Sequence, residues 1–170
     1  MNFSQAVEII LSEEGGYTWN KNDPGGETNF GITKRNYPHL NIRDLTREMA
    51  ISIYLDDYWG RYRIESLPPD VRLQVFDMTV NMGPKGAATV TQRAIIAMSG
   101  VSLEIDGEIG PKTISALLQA DQKALNLWIA IERKNYYIAL VLSKPKMITF
   151  LRGWNRRVDD VLKKANAALQ

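Results

Sequence analysis

Along residues 3 to 14 the apolar positions Phe3, Ala6, Val7, Ile10 and Leu11 recur at intervals of three and four, the period of a helix that lays one face on a core. Asn2 stands where an N-cap belongs, and Gln5 occupies the third helical position, so the two can cap each other's N–H groups. Gly15 is the expected stop. The pattern then breaks. "GGYTWNKNDPGGETNFGIT" (15 to 33) has five glycines, a proline, three asparagines and an aspartate, with neither helical nor strand periodicity, and reads as a loop or a short irregular hairpin. Beyond Pro38 the helical period returns. Thr46 or Asp44 can cap a helix carrying Met49, Ile53, Tyr54 and Tyr58 to about Trp59. Pro68-Pro69-Asp70 opens a second, "VRLQVFDMTVNM", apolar on more than one side and therefore expected at the centre, with Gly83-Pro84 ending it. "AATVTQRAIIAM", a helix starting near Pro111, "KALNLWIAIERKNYYIALVL" and "FLRGWNRRVDDVLKKANAAL" complete a mostly α pattern.

Composition narrows the chemistry. The chain has 170 residues, 45% of them hydrophobic, enough for a core without covalent staples. It has no cysteine and one histidine, His39, which argues against disulfides, thiol catalysis, Cys/His zinc sites and a Ser-His-Asp triad. Carboxylates must carry any acid–base chemistry, and neither a metal nor another cofactor is expected. A formal charge of +2 is too balanced for a dedicated nucleic-acid binder. Arg152, Arg156, Arg157, Lys163 and Lys164 read as a solvated helix face, so no nucleic-acid partner is expected. "GEIGPKT" lacks the glycine spacing of a phosphate loop. "MNFSQAVEII" does not read as a Sec signal, and no apolar run suits a membrane span, so no membrane insertion is expected. The expectation is a protein made in the cytoplasm and released by another agent.

Glu13 and Glu14 end the first helix. At about 100° per residue from Phe3, Glu14 falls about 20° from that direction, among Val7, Ile10 and Leu11, while Glu13 falls about 80° to the other side. Glu14 is thus expected to point inward, at a helix C-terminus. Desolvation and the negative end of the helix dipole would both favour its protonated form, as a general acid requires. The bland alternative is a cap-region carboxylate turned to solvent.

"EEGGYTWNKNDPGGETNFGIT" (13 to 33) resembles the signature of the glycoside hydrolase family 108 muramidases. "IYLDDYW", "FDMTVNMGP", "DGEIGPKT" and "FLRGWNRRV" are also similar to that family, the last two in its peptidoglycan-binding-like part. The resemblance implies a two-lobed, lysozyme-like fold, with a catalytic part over 1–88 and a C-terminal helical peptidoglycan-binding-like part over 89–170, packed as one globule. It implies hydrolysis of the β-1,4 bond between N-acetylmuramic acid and N-acetylglucosamine, with the glutamate of Glu-Gly-Gly-Tyr, here Glu14, as catalytic residue.

For the second catalytic group, related phage lysozymes show a Glu, Asp, Thr series. Asp23 keeps that series' spacing from Glu14, Thr28 stands one residue closer to it, and Glu27 is the rival carboxylate. Tyr17, Asn81, Tyr54, Tyr58, Trp59 and Tyr136 are candidates for binding sugar by residue type, and Trp19 shares that chemistry. Asp77 reads either as a buried structural partner or as a cleft residue. The expected partner is the peptidoglycan glycan strand, met as a monomer at the cell wall after release through a holin or a secretion system. The rival class is a non-catalytic peptidoglycan-binding or phage structural module.

Overall fold

The structure, a computed structural model, describes residues 1–19 and 26–167. The chain divides into two compact units, residues 2–62 and Met1 with 63–170.

The first unit opens with α1 (Phe3–Glu13), where Asn2 and Gln5 form the expected capping box and Ala6, Val7, Ile10 and Leu11 are buried. The helix ends one residue earlier than its pattern suggests. Glu14 is the C-cap, with extended backbone (φ −87°, ψ 137°), although its N–H still donates to the Ile10 carbonyl. The glycine-rich stretch forms a three-stranded antiparallel sheet in the order β1 (Thr18–Trp19), β2 (Glu27–Asn29), β3 (Ile32–Thr33). Thr28 sits on the central strand, paired with Thr18 on one side and Thr33 on the other. The buried Asn29 amide donates to the carbonyls of Ile42 and Leu45, which ties β2 to the following 3-10 turn.

Thr46 caps α2 (Arg47–Ile53), its side chain accepting from the Met49 N–H. The helical pattern expected to run on to Trp59 does so as a π-helix, Tyr54–Gly60. The wider turn has a reason in the sequence. Tyr54 and Trp59 are the two buried residues of this segment and lie five apart, a spacing that an α-helix would splay but the i to i+5 repeat aligns.

Among the described residues, the regular elements of the second unit are all helices. Its α3 (Arg72–Ser99) is interrupted at Gly83 (φ 81°, ψ 163°), where the sequence pattern placed a break. Residues 73–79 are all buried, the all-round burial expected of a central helix. Pro111 opens α4 (Pro111–Gln119), and Asp121 caps α5 (Gln122–Ser143) by accepting from the Ala124 N–H. A 3-10 turn, Pro145–Met147, leads into α6 (Ile148–Ala167). Ala130, Tyr137 and Val158 pack α5 against α6, with Met82 of α3, Tyr136, Leu151, Trp154 and Leu162 against them. Among the described residues the fold is mostly α, with one small sheet after the first helix. Among the described residues, no helix is long and apolar enough to cross a membrane.

Candidate active site

Glu14 is half-buried, and its carboxylate lies against the turn between β2 and β3. That turn has two residues, Phe30 (φ 50°) and Gly31 (φ 75°), both in the left-handed region that a type I′ hairpin turn requires. A Cβ added at Gly31 would stand 2.8 Å from Glu14 Oε2 and 2.7 Å from the Tyr54 hydroxyl oxygen, so carboxylate and phenol flank the same glycine. The Tyr54 hydroxyl donates to the Phe30 carbonyl at 2.9 Å and pins the turn from the π-helix side. A bulky aromatic at positive φ is unfavourable in isolation and persists where its surroundings fix it, as they do here. The helical-face reading of Glu14 thus finds its carboxylate turned inward, although its backbone has already left the helix. The Phe30-Gly31 turn escaped the sequence reading because Phe occupies the position where a hairpin signal shows Asn, Asp or Gly.

Beside this glycine runs a hydroxyl cluster. Tyr37 donates to Asp57 Oδ2 at 2.9 Å. Burial raises the Tyr37 hydroxyl well above the usual phenol range, and the bond to Asp57 adds to the effect. Burial also pushes up Tyr58, against a hydrogen bond with Tyr37, and the charges of Asp57, Tyr62 and Glu14 raise it further. Both phenols therefore stay protonated at neutral pH and serve as hydrogen-bond donors. Tyr54 and Tyr58 rings lie 5.5 Å apart.

Glu27, the rival carboxylate, accepts from the Tyr17 hydroxyl at 3.1 Å, while the Arg43 guanidinium covers the Tyr17 ring at 5.4 Å. Glu27 and Tyr17 are each half-buried, and Trp19, paired opposite Glu27, is exposed. Two of the sugar-binding expectations are corrected by burial. Tyr54 is fully enclosed, and Trp59 is packed edge-on to Phe3, so neither offers a ring face on which a sugar could stack. Asp23 lies outside the described residues. Among the described residues no cluster of His, Cys, Asp or Glu is arranged to hold a metal ion.

In the second unit, Asp77 proves to be a buried structural partner. Its carboxylate meets the Arg133 guanidinium at 2.6 Å and that of Arg157 at 2.9 Å, which ties α3 to α5 and α6. Arg157 is thereby removed from the solvated basic face to which the sequence pattern assigned it. Arg133 Nε donates to the Tyr137 hydroxyl at 3.0 Å, and that hydroxyl donates to Asn81 Oδ1 at 2.7 Å. A relay thus runs from a buried ion pair to an exposed amide. With its oxygen accepting from a phenol, Asn81 presents its NH2 end as the remaining donor. Tyr136 is half-buried, with its ring 5.9 Å from that of Tyr137. Tyr137 was not singled out from the sequence, where it is one of two adjacent tyrosines and only the helix face distinguishes them.

Comparison with known proteins divides the chain between residues 83 and 86, some twenty residues beyond the boundary of the two compact units. Residues 7–83 match the model of the Glycosyl hydrolase 108 family, and residues 86–159 match that of the Predicted Peptidoglycan domain. No curated protein matches. Among solved structures, SagA of Brucella abortus is similar with a TM-score of 0.79 and 28% identity, over 97% of this chain and 94% of that one. Residues 7–83 are thus similar to the Glycosyl hydrolase 108 family and residues 86–159 to the Predicted Peptidoglycan domain, a pairing that supports a peptidoglycan hydrolase.

Proposed function

We propose that the protein is an N-acetylmuramidase that cleaves the β-1,4 bond between N-acetylmuramic acid and N-acetylglucosamine, with Glu14 as general acid. The observation that carries this reading is the seating of the Glu14 carboxylate against Gly31. An acid must reach the glycosidic oxygen while held in one orientation, and a carboxylate at a helix end, seated against a glycine that the Tyr54 hydroxyl also flanks, meets that requirement. In this reading Asp23 or Glu27 stabilises positive charge or activates water, Thr28 orients, and Tyr17, Tyr58, Tyr136 and the Asn81 amide contact the sugars. In this reading residues 1–88 carry catalysis and residues 89–170 bind peptidoglycan.

Glu14→Gln keeps shape and hydrogen-bonding capacity but removes the donatable proton. It should lower turnover by about 10² to 10⁴, with folding by circular dichroism and wall binding retained, while Glu13→Gln stays within a few-fold of wild type. Clearance of isolated peptidoglycan by the two variants decides between them. An active Glu14→Gln beside a dead Glu13→Gln would sink the assignment, and wall binding without any clearance by wild type would favour a non-catalytic module. Mass analysis of the products separates reducing muramic acid ends, expected here, from the anhydro ends of a lytic transglycosylase. Asp23→Ala should cost more turnover than Thr28→Ala, since a carboxylate can stabilise charge and a hydroxyl only orients. Equal small losses would move the second role to Glu27.

A further inference from the structure

The hairpin end joining α5 to α6 carries an exposed apolar surface outside the site around Glu14. Leu142 in the last turn of α5 is 77% exposed, and Ile148 and Phe150 in the first turn of α6 are each 55% exposed. Phe150 is held by stacking on Trp154, with centroids 5.8 Å apart, and Trp154 in turn stacks on Tyr137 at 4.8 Å. These apolar groups are therefore mounted on a packed helix pair. Between them lie Lys144 and Lys146, both exposed, followed by exposed Arg152 and Arg156.

The charge here is of one sign. Residues 133 to 158 contain no aspartate or glutamate. Of the cations in that span, Arg133 and Arg157 share the Asp77 carboxylate, and Lys134 pairs with Asp159. Lys144, Lys146, Arg152 and Arg156 make no ion pair among the described residues, in a chain whose formal net charge is only +2.

We propose that this hairpin end docks on an anionic lipid bilayer, with Leu142, Ile148 and Phe150 entering the headgroup layer and Lys144 and Lys146 pairing with lipid phosphates. Charge complementarity and side-chain type select the occupant together. A glycan would be met by ring faces and hydrogen-bond donors; Phe150 and the lysines supply these, but the two aliphatic groups, Leu142 and Ile148, supply neither and favour an apolar layer. Aliphatic groups flanked by lysines suit an interface that is apolar within and anionic outside. Docking of this kind is peripheral and requires no membrane-spanning helix. It goes further than the sequence expectation of no membrane insertion, because three side chains reach the headgroups. It also stands independently of the role given to Glu14.

The absence of cysteine allows a clean probe. An Ile148→Cys variant of the full chain, labelled with an environment-sensitive dye, is mixed with vesicles of phosphatidylcholine alone or with about one third phosphatidylglycerol. A blue shift and co-sedimentation with the anionic vesicles only, reversed by salt, are expected. Lys144→Gln with Lys146→Gln should weaken partitioning on the order of tenfold, and Leu142→Ser with Phe150→Ser should abolish it, both with an unchanged thermal melt. Failure to bind, or equal binding to neutral vesicles, overturns the proposal. So does loss of binding to purified sacculi in these variants without any vesicle binding by wild type, which would make the occupant a glycan. A dimer in sedimentation equilibrium that the same serines disperse would make it a second copy.

Discussion

At Gly31 one methyl group decides whether the Glu14 carboxylate and the Tyr54 hydroxyl can occupy their places. Gly31→Ala adds a Cβ where those groups already stand and forces alanine to φ 75°, a strain of about 1–2 kcal/mol before any collision is counted. The neighbours must move, and a displacement near 1 Å in a reacting group typically costs about 10² in rate. Gly31→Ala should therefore lose turnover on that order while still folding, and adding Tyr54→Phe, which removes one colliding atom, should recover part of it. A loss that tracks the melting temperature alone, with no recovery, would reduce Gly31 to a structural glycine. Glu14 itself was legible, because its direction follows from the spacing of Phe3, Val7, Ile10 and Leu11 on one helix. Gly31 was not, because its importance arises from α1 and the π-helix each bringing a side chain onto one turn, which no local pattern records.

Among the elements, the loop "DGEIGPKT" is organised by a side chain two turns inside α3. Gln92, fully buried, donates to Asp106 Oδ1, the Glu108 carbonyl and Thr113 Oγ1, and accepts from the Gly107 N–H. The bond from Gln92 and the Glu108 N–H hold the Asp106 carboxyl below its usual range. A carboxyl depressed in the folded state contributes stability that is full above its unfolded value and is lost as pH falls through the folded one. Wild type should thus lose thermal stability from about pH 4 downward, and Asp106→Asn should flatten that part of the curve. Identical acid limbs for the two proteins would remove Asp106 from the account. Gln92→Ala, which leaves a buried N–H without a partner, should cost about 1–3 kcal/mol in denaturant unfolding. The elements themselves were legible where periodicity, caps and breakers agree, as in α1, α4 and the break at Gly83. The π-helix was missed because Tyr54, Tyr58 and Trp59 fit a helical period loosely, and five-residue register becomes visible only once burial is known.

On the scale of the whole molecule, the division near residue 62 and the buried ion pairs belong to one argument. Asp77, Arg133 and Arg157 come from three helices of residues 63–170, so both of these ion pairs are internal to that unit. The Tyr137 and Asn81 relay is likewise internal to that unit. Sequence reading could name Asp77 as buried, since it falls within an all-round apolar helix, but its two partners lie 56 and 80 positions away and no motif announces them. Residues 63–170, expressed alone, should therefore melt cooperatively. Asp77→Asn in that fragment removes the charge that compensates two guanidinium groups, one fully buried, and breaking such a pair typically costs about 3–5 kcal/mol. Replacing Asp77 and Arg133 together by Leu and Met should restore part of the loss, because the fully buried guanidinium then leaves with its partner and only the partly exposed Arg157 loses the Asp77 carboxylate. The measurement is urea unfolding of the fragment and its variants, followed by helical circular dichroism. If the Asp77→Asn fragment unfolds at the same midpoint as wild type, the ion pairs are passengers and the packing of Ala130, Tyr137 and Val158 alone holds the three helices together.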